Sequence, residues 1–146
     1  MEDGWKSPFD DAIAIAGERD ARDGSGGELN AAIARSVVGI YRVACGRGPT
    51  KARAMFRGDV VVVLLEQVLT HAERSLIADG RSDAALAMRH SLHEAMRPSL
   101  ALAVAEVTGS PVRAVLSDTL DVPDVAVEVF LLEHPVDPSR RGTRAN

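Results

Sequence analysis

The chain has 146 residues, 46% of them hydrophobic, 26% charged and only 3% aromatic, the size and balance of one soluble globular domain. A net charge of −4 argues against bulk electrostatic attraction to DNA, RNA or anionic lipid, so no nucleic-acid partner is expected. No apolar run exceeds the length of Val60 to Leu65, far short of the roughly 18–20 residues of a membrane-spanning helix, and the acidic N-terminus lacks the basic-then-apolar pattern of a signal peptide. A cytoplasmic protein without direct membrane insertion is therefore expected. The single cysteine, Cys45, excludes an internal disulfide and a cysteine-based zinc site, so an apolar core must hold the fold and no cofactor is expected.

In chain order, residues 1–27 read as a flexible acidic leader that ends in Asp23-Gly24-Ser25-Gly26-Gly27, although Trp5, Phe9, Ile13 and Ile15 could make a short apolar patch that docks. Leu29, Ile33, Val37, Ile40 and Tyr41 recur at three- and four-residue spacing and predict a helix from about Leu29 to Ala44, stopped at Gly46 with Pro49 beyond it. Lys51 to Arg57 alternates: Ala52, Ala54 and Phe56 on one face, Lys51, Arg53, Met55 and Arg57 on the other. A reversal at Gly58-Asp59 leads into Val60 to Glu66, whose valines and leucines occupy both faces, the pattern of a strand covered on both sides.

Thr70-His71-Ala72-Glu73 fits the capping box that opens a helix. That helix should kink or break at Asp79-Gly80 and resume near Ser82, with Leu92, Met96, Leu100, Ala103 and Val107 as its stripe and a bend at Pro98. Gly109 and Pro111 end it. Val112 to Asp118 and Val125 to Glu133 then form a second hairpin around Asp121-Val122-Pro123-Asp124, with Val125, Val127, Val129 and Leu131 sharing one face. Prolines and Arg140, Arg141 and Arg144 mark residues 134–146 as a flexible basic tail. The two halves rhyme, Gly48-Pro49 before one hairpin and Gly109-Ser110-Pro111 before the other. Residues 28–133 are thus expected to form one α+β domain of order helix-hairpin-helix-hairpin (αββαββ), a four-stranded, largely antiparallel sheet packed with helices; strand order is not readable.

Candidate chemistry is sparse. Cys45 to Lys51 (CGRGPTK) resembles a phosphate loop only in composition, because it follows a helix and opens a strand and lacks the G-x-x-x-x-G-K-[ST] spacing. Two weaker readings of the turn and basic strand stay open: Arg47, Gly48, Lys51, Arg53 and Arg57 bind a small anion or an acidic partner surface, or the charges keep an edge strand from aggregating. His90, His93 and Glu94 have a spacing that can put two ligands on one helix face, but no separate Cys or His is placed to supply a third, so solvent-facing histidines are expected. Cys45, at a helix C-terminus where the dipole disfavours a thiolate, reads as a small buried residue. Asp118, Asp121, Asp124 and Glu128 read as turn chemistry rather than a catalytic pair or calcium site. No nucleophile, base and orienting group can be assembled, so no catalytic residue and no metal site are assigned and the protein is not expected to be an enzyme.

Gly46-Arg47-Gly48-Pro49-Thr50-Lys51-Ala52-Arg53, Asp59-Val60-Val61-Val62 with Leu65-Glu66, Leu69-Thr70 with Ala72-Glu73-Arg74, Ser117-Asp118, and Ala126-Val127-Glu128-Val129-Phe130 occur in that order, and together they resemble the MpsC-like family. These are short bacterial proteins, long treated as a domain of unknown function and named for a sodium-translocating, membrane-potential-generating system. The resemblance covers nearly all of Leu29 to Glu133; Pro98, inside a helix that the family would keep regular, is a local departure. It implies a small accessory protein tied to a membrane cation or inorganic-carbon uptake system, and no known active site. The reading is a non-enzymatic accessory or regulatory protein that self-associates, as a dimer, and acts through protein–protein contacts, with a small-anion sensor built on the 46–51 turn as the alternative.

Overall fold

A computed structural model describes residues 26–140. The first helix, α1 (Gly27–Cys45), buries Leu29, Ile33, Val37 and Tyr41, one residue per turn, and ends on Gly46 in the left-handed conformation. Strands β1 (Lys51–Arg57) and β2 (Val60–Glu66) form an antiparallel hairpin closed by Gly58-Asp59, with Gly58 at φ 58°. Helix α2 (His71–Ala78) starts at the capping box: Thr70 accepts from the Glu73 amide, and the Glu73 side chain accepts from the Thr70 amide. The chain breaks at Asp79-Gly80 and resumes as α3 (Ser82–Thr108), which runs through Pro98 as one helix. Strands β3 (Val112–Leu120) and β4 (Val125–Leu132) complete the order αββααββ, the expected αββαββ plan with its second helix divided at Asp79-Gly80.

The sheet has the order β1-β2-β4-β3 and is antiparallel throughout, so the two hairpins join at its centre through β2 and β4. Helices α1 and α3 pack on each other and on one face of the sheet, α1 chiefly over β1 and α3 over β3, while α2 packs on α3. The core lies between these layers: Val61, Val63, Leu65, Val115, Ala126, Phe130 and Leu132 from the sheet meet Leu29, Ile33, Val37, Tyr41, Met96, Leu100 and Val104 from the helices.

Three sequence expectations are revised. The described elements cover β2 on one face only: Val61, Val63 and Leu65 are buried, whereas Val60, Val62 and Leu64 stay partly exposed and no described helix lies over them. The buried stripe of α3 is Ala85, Arg89, His93, Met96, Leu100, Val104 and Val107, so it includes two basic residues that a search for apolar positions passes over. The folded unit also runs beyond Glu133: the Val136 amide bonds to the Gly58 carbonyl at 2.8 Å with its side chain buried, and Arg140 Nε donates to the Val107 carbonyl at 3.2 Å. Gly109, which closes α3 at φ 74°, lies against that guanidinium, and a Cβ there would clash with Arg140 Nη1. The proposed leader (1–27) falls almost wholly outside the described residues, as does the end of the tail.

Phe130 is fully buried on β4, one of the two inner strands of the sheet. Phe130→Ala is expected to lower stability by about 3–5 kcal/mol in urea unfolding monitored by circular dichroism; a loss below about 1 kcal/mol would mean the core is not where we place it.

Candidate functional site

The residues singled out in the sequence separate into two groups. The 46–51 turn is internally committed: Arg47 Nη1 donates to the Leu69 carbonyl at 3.0 Å, the Thr50 amide to the Glu66 carbonyl at 3.1 Å, and the Thr50 hydroxyl to Gln67 at 2.7 Å. Gly48 sits against Val38 and Arg42. Lys51, Arg53 and Arg57 instead project from the exposed face of edge strand β1, and Lys51 reaches Glu66 at 3.9 Å. The turn therefore orients the strand, and the strand presents the charge.

That charged face is one margin of a larger surface. Alternation puts Val60, Val62 and Leu64 of β2 and Val125, Val127, Val129 and Leu131 of β4 on the sheet's outer side. Registered with them on β3 are Ala114, Leu116, Asp118 and Leu120. Leu116 is 59% exposed, Leu120 51% and Met55 on β1 40%. The result is a continuous apolar plane with a basic edge at β1, which the sequence pattern of β2 foreshadowed and the described helices leave open.

Beneath the sheet lies a buried polar layer. The Arg89 guanidinium binds Glu73 through Nε (2.9 Å) and Nη2 (2.5 Å), donates to the Val68 carbonyl at 2.9 Å, and reaches Cys45 Sγ at 3.1 Å. Burial pulls its pKa down, but the hydrogen bond to Glu73 and the neighbouring charges outweigh that and hold it above the ordinary value. Deeper in the core, Glu128 accepts from the Tyr41 hydroxyl at 2.6 Å and from the Ser117 hydroxyl. His93 Nδ1 stands 3.0 Å from the same carboxylate without hydrogen-bond alignment, and Nε2 is 2.7 Å from Thr119 Oγ1.

Two expectations are corrected here. His93 does not face solvent, because it occupies a core position of α3, whereas His90 is exposed. Glu128 is not turn chemistry, because it is fully buried in mid-strand; Asp124 does serve the turn region, accepting from the Val68 and Leu69 amides at 2.9 and 3.2 Å. The four-four-three spacing of Ala85, Arg89, His93 and Met96 carries the signal that sequence reasoning missed. A groove of about 510 Å³ between α1 and α3 is lined by residues such as Ser36, Ile40, Val43, Ala95, Met96 and Ala103, and no acid, base or thiol lines it. The buried polar groups are thus set apart from the groove and fix how α1, α2, α3, β3 and β4 meet.

Arg89→Met is expected to destabilise by about 3–5 kcal/mol, because it strands the Glu73 charge, and adding Glu73→Gln, which preserves the cap acceptor, should recover a large part of the loss. A double variant no better than the single would refute this account. Burial pushes the Cys45 thiol above its ordinary 9.0, with Arg89 opposing, and burial followed by the Glu128 charge pushes the Tyr41 phenol above 10.0. Both raised values favour the protonated folded form, so this stability is fully present below pH 9 and is lost as pH rises through the folded values. Unfolding free energy should therefore fall from about pH 9 upward, with a shallower fall in Tyr41→Phe; equal slopes in the two proteins would count against it.

No curated protein and no solved structure matched the chain. Among the described residues no helix is long and apolar enough to cross a membrane. The sequence profile of the family described as Na+-translocating membrane potential-generating system (MpsC) matches residues 25–134. The match spans both hairpins and all three helices of the described residues, and the chain belongs to the MpsC family.

Proposed function

We propose that the protein is a cytoplasmic, non-enzymatic accessory or regulatory component of a membrane cation or inorganic-carbon uptake system, that it self-associates, and that it acts through protein–protein contacts. The observation that carries the reading is the outer face of the sheet: an apolar plane with the cations Lys51, Arg53 and Arg57 along one margin and no described element over it. Monomeric soluble proteins rarely leave so much contiguous apolar surface in water. Family membership supplies the system in which such a surface would work. The groups that chemistry would need, Glu128, His93 and Tyr41, are buried and engaged with one another, which supports a structural role for them.

The test is a crosslinked pull-down of the tagged chain from its native cells with membranes included, beside an Arg53→Glu, Arg57→Glu variant. Specific recovery of a membrane transport component, lost in the variant while the melting temperature is unchanged, is expected. Recovery of nothing but the protein itself would refute docking. A rise in melting temperature with phosphate, bicarbonate or nucleotide would then favour the small-anion reading, since a ligand that binds only the folded state must stabilise it.

A further inference from the structure

We infer that the outer face of the sheet is a homodimer interface, in which two copies stack face to face about a two-fold axis parallel to the strands, with Arg53 of each copy on Asp118 of the other. This deepens the self-association in the proposed function and rests on that reading.

The registers define four rows across the outer face, each running β1-β2-β4-β3. They are Lys51, Glu66, Val125, Leu120; Arg53, Leu64, Val127, Asp118; Met55, Val62, Val129, Leu116; and Arg57, Val60, Leu131, Ala114. Arg53 and Asp118 thus stand at opposite ends of one row, with two apolar residues between them. Among the described residues neither has an ion-pair partner, and Asp118 accepts only from the adjacent Thr119 amide, at 2.8 Å.

Two identical sheets that stack face to face with their strands aligned are related by an in-plane two-fold axis either along or across the strands, and the charges distinguish the two. An axis across the strands lays β1 on β1 and gathers Lys51, Arg53 and Arg57 of both copies along one seam, where like charges repel. An axis along the strands lays β1 on β3 and keeps each row opposite itself. Arg53 then meets Asp118 twice, Met55 meets Leu116, and Leu64, Val62 and Val60 meet Val127, Val129 and Leu131. The Lys51–Glu66 pair, exposed at 3.9 Å, falls at the rim.

Size fits as well. Four strands about 4.8 Å apart, seven residues long at about 3.4 Å each, present on the order of 450 Å² of flat face. With side-chain relief, two such faces bury on the order of 1,000 Å² in total, where specific interfaces begin. A second sheet would also give β2 the two-sided cover that its unbroken valine-leucine run suggests.

The test is sedimentation equilibrium of the purified full chain from micromolar to hundreds of micromolar concentration, with circular dichroism melting to establish that each variant is folded. A dimer is expected. Arg53→Glu and Asp118→Arg should each raise its Kd about tenfold or more, and the two together should restore it to within about threefold of the parent. A monomer throughout would overturn the inference, as would a dimer indifferent to both substitutions or single losses that the exchange fails to rescue. The outcomes also separate this inference from the wider reading. A monomer that still recovers a membrane component assigns the face to that partner, whereas a rescued dimer that recovers none leaves the interface standing and removes the accessory role.

Discussion

The architecture depends on the satisfaction of two basic side chains at core positions of α3. Arg89 and His93 occupy the buried stripe between Ala85 and Met96, and a charge taken out of water is tolerated only where partners surround it. Arg89 meets that demand with a carboxylate from α2, a carbonyl from the β2–α2 loop and the thiol at the end of α1. His93 stands beside a carboxylate from β4 and a hydroxyl from β3. These contacts link the three described helices and half the sheet, so α3 has one acceptable rotation and depth.

Glu73 shows how such a constraint is shared. Its side chain closes the capping box on the Thr70 amide and also receives the Arg89 guanidinium. A local signal for helix initiation and a long-range charge pair therefore use the same two oxygens, which couples the start of α2 to the packing of α3. Asp124 does the equivalent at the far end of the sheet, where its carboxylate binds the Val68 and Leu69 amides and secures the β2–α2 loop to the β3–β4 turn. Arg47 holds the same loop from the other side through the Leu69 carbonyl. The turn that looked available for an anion is in this way part of the scaffold.

With polar groups concentrated under the sheet and the described helices all on one side of it, the described residues present an asymmetric pair of surfaces. The helical side carries its own apolar groove; the sheet side carries a flat apolar plane whose charges lie at opposite margins. The buried titratable side chains, Arg89 with Glu73 and Glu128 with Tyr41, are drawn inward, where they fasten the layers.

The sequence by itself determined the element types and their order, because these rest on local rules: the alternation of Lys51–Arg57, the Gly58-Asp59 reversal, the Thr70/Glu73 box and the glycines that close α1 and α3 each act within a few residues. The family was legible too, since short motifs such as Gly46–Arg53 and Ala126–Phe130 are contiguous in the chain. Tertiary structure decided which face of β2 is covered, the strand order, the inward turn of Glu128 and His93, and the burial of Val136. An apolar strand pattern says that both faces favour burial without saying what covers them. A histidine or glutamate looks the same in sequence whether it faces water or a partner brought from 35 residues away, as Glu128 is to His93. Such pairings depend on distances between elements, and those are set only when the layers close on one another.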